Sequence, residues 1–365
     1  MKKLYVAPLA GALALGISLP SQAVEVYNKD GTSFAIGGRI EAVYVSGNAS
    51  NAGNKDQTIR NRMRLNLKGR TQINDYLAAY AFTEWQQQNQ GDSSGGQTWN
   101  VRDQYVGLDL GQYGKIQAGR FLSGLYDLTV LTDIFNDYAN LGAEVASRNS
   151  GKLKYIYSGY GFDFGAELQT SENNYTLDHV TGTHHVDSGY TLTAGYTIPD
   201  VAFGPLGFKA GFEYLRFQDD HGTTHDSLSN SKTWGVAAFW GTYGKGLFLA
   251  ADYTARDIAA RESYASDDFK QQGLEVTATY FTESGINLTL GYESQRLDPD
   301  LGSATHQTNL LGLVEYYFVP NFKIWAGATW DLDTDKNYGK DGNGYRIAAL
   351  EVPGDIYTVG ARYSF

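Results

Sequence analysis

The chain has no cysteine, so no disulfide holds it together. An exported chain of this kind draws its stability from elsewhere. Proline is scarce, with 7 residues, and leaves long segments unbroken. Beyond residue 23, no apolar run approaches the roughly 20 residues of a membrane-spanning helix, which excludes a helical bundle in a bilayer. Basic residues are in deficit, 29 against 40 acids, for a net charge of −11. Nucleic-acid binding needs a basic surface, so that balance argues against it. Gly241-Thr242-Tyr243-Gly244-Lys245-Gly246 lacks the spacing and the following Ser/Thr of a phosphate-binding loop. It reads as a turn between strands.

What is present points one way. Lys2-Lys3, an apolar stretch to Leu19 and the small-x-small site Ser21-Gln22-Ala23 predict a secretory signal peptide over 1–23. The remainder, 24–365, reads as a single unit without linker, heptad or low-complexity tract. The whole chain's 27 Tyr, 17 Phe and 6 Trp suit aromatic girdles at two membrane interfaces. Alternating segments of strand length are joined in turn by very short and by long polar connections. We count sixteen, near 34–45, 58–70, 76–88, 99–110, 115–121, 148–158, 162–172, 188–198, 207–218, 231–243, 246–257, 271–282, 286–297, 308–319, 322–333 and 354–365. About 21 residues per strand and connection suits a barrel with short turns at one end and long loops at the other. In the last segment Tyr357, Val359, Ala361, Tyr363 and Phe365 share one face, and Thr358, Gly360, Arg362 and Ser364 share the other. The fold class is therefore all-β, a transmembrane 16-stranded antiparallel barrel, apolar outside and polar inside. A soluble sandwich has the same period but fits the regular alternation of connections less well.

One stretch departs from the scheme. Residues 122–147 have no strand pattern, yet Leu125, Leu128, Val130, Leu131, Ile134 and Phe135 seek burial. Loops of that length are commonly functional. We read it as a third loop folded inward, carrying Asp133 and Asp137. On the second strand, Arg60, Arg62, Arg64, Asn66, Lys68 and Arg70 share a face. A charge facing lipid costs a few kcal/mol, so this row faces the lumen. Arg39, Arg102 and Arg148 converge on it. Opposed acids and bases across a narrow pore sort solutes by size and charge. Asp103 falls on the apparent outer face of the fourth strand, which suggests a subunit contact. Tyr76, Tyr80 and Phe82 share an inward parity on the third.

Specific segments carry a family resemblance. Val24-Glu25-Val26-Tyr27-Asn28-Lys29-Asp30-Gly31 is similar to the mature start of enterobacterial porins. Leu67-Lys68-Gly69-Arg70-Thr71-Gln72-Ile73-Asn74 resembles their second-strand turn. Tyr105-Val106-Gly107-Leu108, Gly119-Arg120, Tyr126-Asp127, Thr132-Asp133, Arg148 and the closing Tyr363-Ser364-Phe365 continue the match. The chain thus resembles the general diffusion porins of Gram-negative outer membranes. That resemblance implies a homotrimer of barrels passing ions and small hydrophilic solutes, with no cofactor and no metal. By matching position it implies a basic wall of Arg39, Arg64, Arg102 and Arg148 and loop acids Asp133 and Asp137. Arg62 joins the wall by parity. It also implies a setting of outer-membrane lipid and lipopolysaccharide, and insertion by the barrel assembly machinery through the strand ending in Tyr363 and Phe365. The family's Pro-Glu-Phe-Gly-Gly-Asp loop motif reads Asn136-Asp137-Tyr138-Ala139-Asn140-Leu141 here.

Two other readings use different features. A substrate-specific channel, for oligosaccharides, needs an aromatic track along the lumen. A barrel enzyme or adhesin would act through the outer loops, where the six histidines fall. His179, His184, His185 and Asp187 on one flexible polar segment make a poor metal cage. Ser188 and Asp187 are close in sequence only and do not make a catalytic set.

Overall fold

The computed structural model describes residues 23–47, 58–89, 99–137, 147–177, 183–219, 227–261, 268–300, 304–335 and 354–365. Residues 1–22 of the expected signal segment, residues 138–146 of the third loop, and His179, His221 and His225 lie outside them. The strands are β1 (Val24–Lys29), β2 (Thr32–Gly47), β3 (Thr58–Asn74), β4 (Leu77–Asn89), β5 (Asn100–Asp109) and β6 (Lys115–Leu122). Next come β7 (Arg148–Gly159), β8 (Phe162–Gln169), β9 (Glu172–Tyr175), β10 (His184–Val201), β11 (Gly204–Phe217) and β12 (Leu228–Thr242). The last are β13 (Lys245–Ala260), β14 (Phe269–Phe281), β15 (Ile286–Pro299), β16 (Thr305–Val319), β17 (Phe322–Thr334) and β18 (Ile356–Ser364).

Strands pair antiparallel with their neighbours in sequence, except that β8 and β9 both pair with β10 and not with each other, and β18 returns to β2, so the sheet closes. The ring has sixteen positions. Two short strands extend existing positions. β9 continues β8 along β10 after a break at Thr170 and Ser171. β1 pairs with the first part of β2, end to end with β18: Phe365 exchanges backbone hydrogen bonds of 2.8 and 3.0 Å with Gly38, and Val24 faces Ile36. At one rim the connections are tight. Tyr160 and Gly161, at φ 55° and 81°, make the two-residue turn that matches the twist of a hairpin.

The faces are inverted relative to a water-soluble protein. On β14 and β15, Val276, Leu288 and Leu290 point outward and are exposed, while Thr277, Thr279 and Thr289 are buried inside. A sandwich buries its apolar face; here the apolar face is the one left uncovered.

The loop after β6 turns into the barrel. Its neck is held by Ser123 N–H to the Ser147 carbonyl at 2.9 Å. One helical turn, α1 (Tyr126–Thr129), follows. Leu125, Leu128 and Leu131 pack on Ala237, Phe239, Phe248, Ala250 and Phe281 of β12–β14. Farther on, Phe135 packs against Val43, Val45, Leu313, Trp325 and Ile356. Inward glycines make room for this path. A Cβ on Gly211 would meet Leu125 and Leu128 at 3.0 Å, and one on Gly291 would meet the Phe135 ring at 2.6 Å. Replacing Gly291 with Leu overpacks that seat, at a cost of about 1–3 kcal/mol. We expect faster amide hydrogen exchange in residues 126–137 with strand amides still protected. Unchanged exchange in the loop would show that Gly291 does not set its position.

Candidate pore constriction

The β3 alternation places Arg60, Arg62, Arg64 and Asn66 inside, as parity predicts. Arg62 is the point where wall and loop join. Its Nη1 donates to Asp137 Oδ1 at 2.7 Å, its Nη2 to the Asn136 carbonyl at 3.2 Å, and its Nε to Glu41. Arg60 Nη2 lies 4.0 Å from the same Asp137 oxygen. Glu41 is 1% exposed and lies between Arg39, at 3.1 Å, Arg62 and Arg362. A buried carboxylate needs such partners to stay ionised. Asn136 completes the attachment. Its Oδ1 accepts from Lys323 at 3.0 Å and Arg362 at 2.9 Å, and its Nδ2 donates to Glu315 at 2.9 Å. Lys323 also pairs with Glu315.

Beside this junction the arginines are less fully compensated. Arg39 and Arg64 are direct cross-strand partners. Arg64 Nε and Arg102 Nη1 donate to one neutral acceptor, Gln86 Oε1, at 2.8 and 3.0 Å. Arg102 Nε donates to Glu84 at 2.9 Å. Arg148 Nε donates to Asp103 at 2.9 Å. That bond corrects the outward placement of Asp103. The β4–β5 register jumps between Glu84–Asp103 and Trp85–Val101, so Arg102 is an extra residue in a β-bulge. Asp103 keeps the inward parity of Tyr105, and the bulge turns Arg102 inward beside it, so two successive residues face the lumen against strict alternation.

The loop acids are held differently. Asp137 meets arginine directly. Asp133 instead accepts the Tyr126 hydroxyl at 2.8 Å, and Arg102 and Arg148 act electrostatically on Tyr126. Asp127 takes Lys154 Nζ at 3.3 Å, and its carbonyl takes Lys209 Nζ at 3.1 Å. Thus Arg39, Arg62, Arg64, Arg102 and Arg148 share one stretch of inner wall. Glu41, Glu84, Gln86, Glu315, Lys323 and Arg362 are members that sequence reasoning missed. The inward parity of Arg362 was a usable signal; partners far apart in sequence gave none.

The alternative features separate. Tyr76 sits exposed in a turn, while Tyr80 and Phe82 face inward. His184 is buried beside Phe217, and Asp187 pairs with Arg216. Among the described residues no three acids, histidines or cysteines are placed to hold a metal ion.

A closed barrel with an inward loop and an arginine wall invites comparison with known proteins. A family model described as Gram-negative porin matches residues 9–337. The chain belongs to that family. Outer membrane porin F of Salmonella typhimurium LT2 is 26% identical over 362 residues, covering 93% of this chain and 94% of the relative. Outer membrane porin C of Enterobacter cloacae is 27% identical over 373 residues, covering 96% and 97%. Among solved structures, OmpF of Salmonella typhi in complex with daunomycin superposes with a TM-score of 0.73 at 21% identity, covering 94% of this chain and all of that one. The anion-selective porin from Comamonas acidovorans superposes with a TM-score of 0.67 at 17% identity, covering 92% of this chain. At those identities the structural likeness speaks for the fold. This porin resides in the outer membrane and forms a channel across it.

Within the porin, the Arg62 junction should behave as a unit. Arg62→Met leaves Glu41 and Asp137 buried with less compensation, a loss of about 3–5 kcal/mol. Adding Asp137→Asn should recover part of it, so the pair is non-additive by roughly 0.5–3 kcal/mol. Thermal unfolding of the four proteins in detergent measures the cycle. Strict additivity would mean that the contact does not hold the loop.

Proposed function

We propose that this porin passes ions and small hydrophilic solutes passively, and that its inward loop and arginine wall form the narrowest part of the channel. The observation that carries the reading is the attachment of Asp137 to Arg62 at 2.7 Å, which sets the loop across the lumen beside Arg39, Arg64, Arg102 and Arg148. A solute squeezed past that site meets arginine on one side and Asp133 and Tyr126 on the other. Size and charge then decide passage. The channel performs no chemistry; the loop histidines and the Asp187–Ser188 pair serve no reaction. The working form is a homotrimer, in line with the family. Lipopolysaccharide surrounds its outer leaflet, and Tyr363 and Phe365 guide insertion by the barrel assembly machinery. Residues 1–23 are removed on export.

The test is single-channel current in a planar bilayer under a salt gradient. Wild type should open to a stable ohmic conductance that closes in three equal steps. Arg64→Ala with Arg102→Ala and Arg148→Ala removes positive charge, leaves the Arg62 junction in place, and frees Glu84 and Asp103. The reversal potential should move toward cations. Unchanged selectivity would displace the constriction from this wall. No current from a well-folded barrel would end the channel reading.

A further inference from the structure

Beneath the arginines, the inner wall carries rings that stay partly exposed, with Lys68 Nζ 5.8 Å from the Phe82 centroid. Phe82 and Tyr105 lie 5.3 Å apart between centroids at 35°. Tyr105 meets Tyr80 edge-on at 6.3 Å and Phe121 edge-on at 5.8 Å. Tyr80 lies flat across Gly107, where a Cβ would fall 2.4 Å from its ring, and its hydroxyl donates to Gln117 at 3.2 Å. Tyr80, Phe82 and Tyr105 stay partly exposed to the lumen, with Phe121 buried behind them. Other inward rings, such as Phe239, Phe248 and Trp325, are almost wholly covered. Partly exposed rings offer a surface on which a flat apolar group of a solute can pack.

The rings are placed for one ring at a time. They spread around the wall over β4, β5 and β6, not along the axis. Two residues along β4 from Phe82, a step of about 7 Å, comes Glu84, and two further comes Gln86. Among the described residues no second ring continues the surface along β4 past these polar residues, so they offer an oligosaccharide no track. What lies there instead is the Arg64–Arg102 pair, whose guanidiniums share the neutral Gln86 amide oxygen, with Arg102 also paired to Glu84. A solute carboxylate is a stronger acceptor than the Gln86 amide for Arg64, and for the Nη1 of Arg102 beside it.

We propose that Phe82, Tyr105 and Tyr80, with Arg64 and Arg102 above them, form a subsite for aromatic monocarboxylates on the inner side of the constriction. The subsite rests on the channel reading and narrows it to a preferred solute class. The ring of the solute adds to the tilted Phe82–Tyr105 pair while its carboxylate faces the guanidiniums. Aromatic pairing of this kind gives a preference of about five-fold over an anion without a ring.

Sodium benzoate and sodium acetate are the probes. Each is added to wild-type channels conducting KCl, and the concentration giving half-maximal current fluctuation is read. Benzoate should act at about five-fold lower concentration than acetate. Phe82→Leu with Tyr105→Leu keeps apolar volume and should abolish that ratio. Arg64→Gln with Arg102→Gln should weaken both anions. Saturation-transfer NMR on the detergent-solubilised barrel should give the same order without any current. Equal potency of the two anions in wild type, or a ratio that survives loss of both rings, would overturn the subsite and leave the channel reading standing. Absence of KCl current would overturn the channel reading itself.

Discussion

Lipid offers no partner for a backbone N–H or C=O, and every other feature of this molecule depends on that constraint. Antiparallel pairing satisfies the groups only if the sheet has no edge. The ring therefore closes through β18 and β2. Closure fixes the strand parity, since a slip of one residue would turn each row of side chains to the wrong side. With parity fixed, Leu288 and Leu290 go to lipid and the arginines of β3 go to water. The channel is thus a by-product of hydrogen-bond accounting. Sixteen tilted strands enclose more space than their inner side chains fill.

The leftover space is narrowed from inside, by a segment that follows the physics of a soluble core. Leu125, Leu128 and Leu131 bury themselves on phenylalanines and alanines of the wall. The far end of the loop is fixed by charge. Asn136 and Asp137 enter a network of Glu41, Glu315, Arg62, Lys323 and Arg362. Each buried ion there is tolerable only with its partners in place. Apolar contact positions one half of the loop and ion pairing the other. The arginines outside that junction stay turned toward the passage.

Much of this was legible before any coordinates. Period-two alternation and the rhythm of turns located the wall strands, because both follow from pleating and hairpin chemistry. The inward arginine row on β3 followed from the cost of charge in lipid. Three things were not legible. The bulge at Arg102 adds one residue, so Arg102 and Asp103 both face inward, and nothing local marks it. The short β1 and β9 extend other strands, so they repeat no rhythm of their own. Partners such as Arg362 and Glu41 are brought together only by closure. The glycines that seat the loop, Gly211 and Gly291, look in sequence like weak spots in strands; their function appears only against Leu128 and Phe135.

The end-to-end arrangement of β18 and β1 gives the ring an unusual seam. Phe365 faces Gly38, and Val24 faces Ile36. One lane of the wall is thus written by β18 and β1, which meet on either side of Gly37 of β2. The order of the genetic text is then nearly irrelevant to the finished wall. A circularly permuted gene, sealed at that seam and opened in an outer loop, would encode the same cylinder.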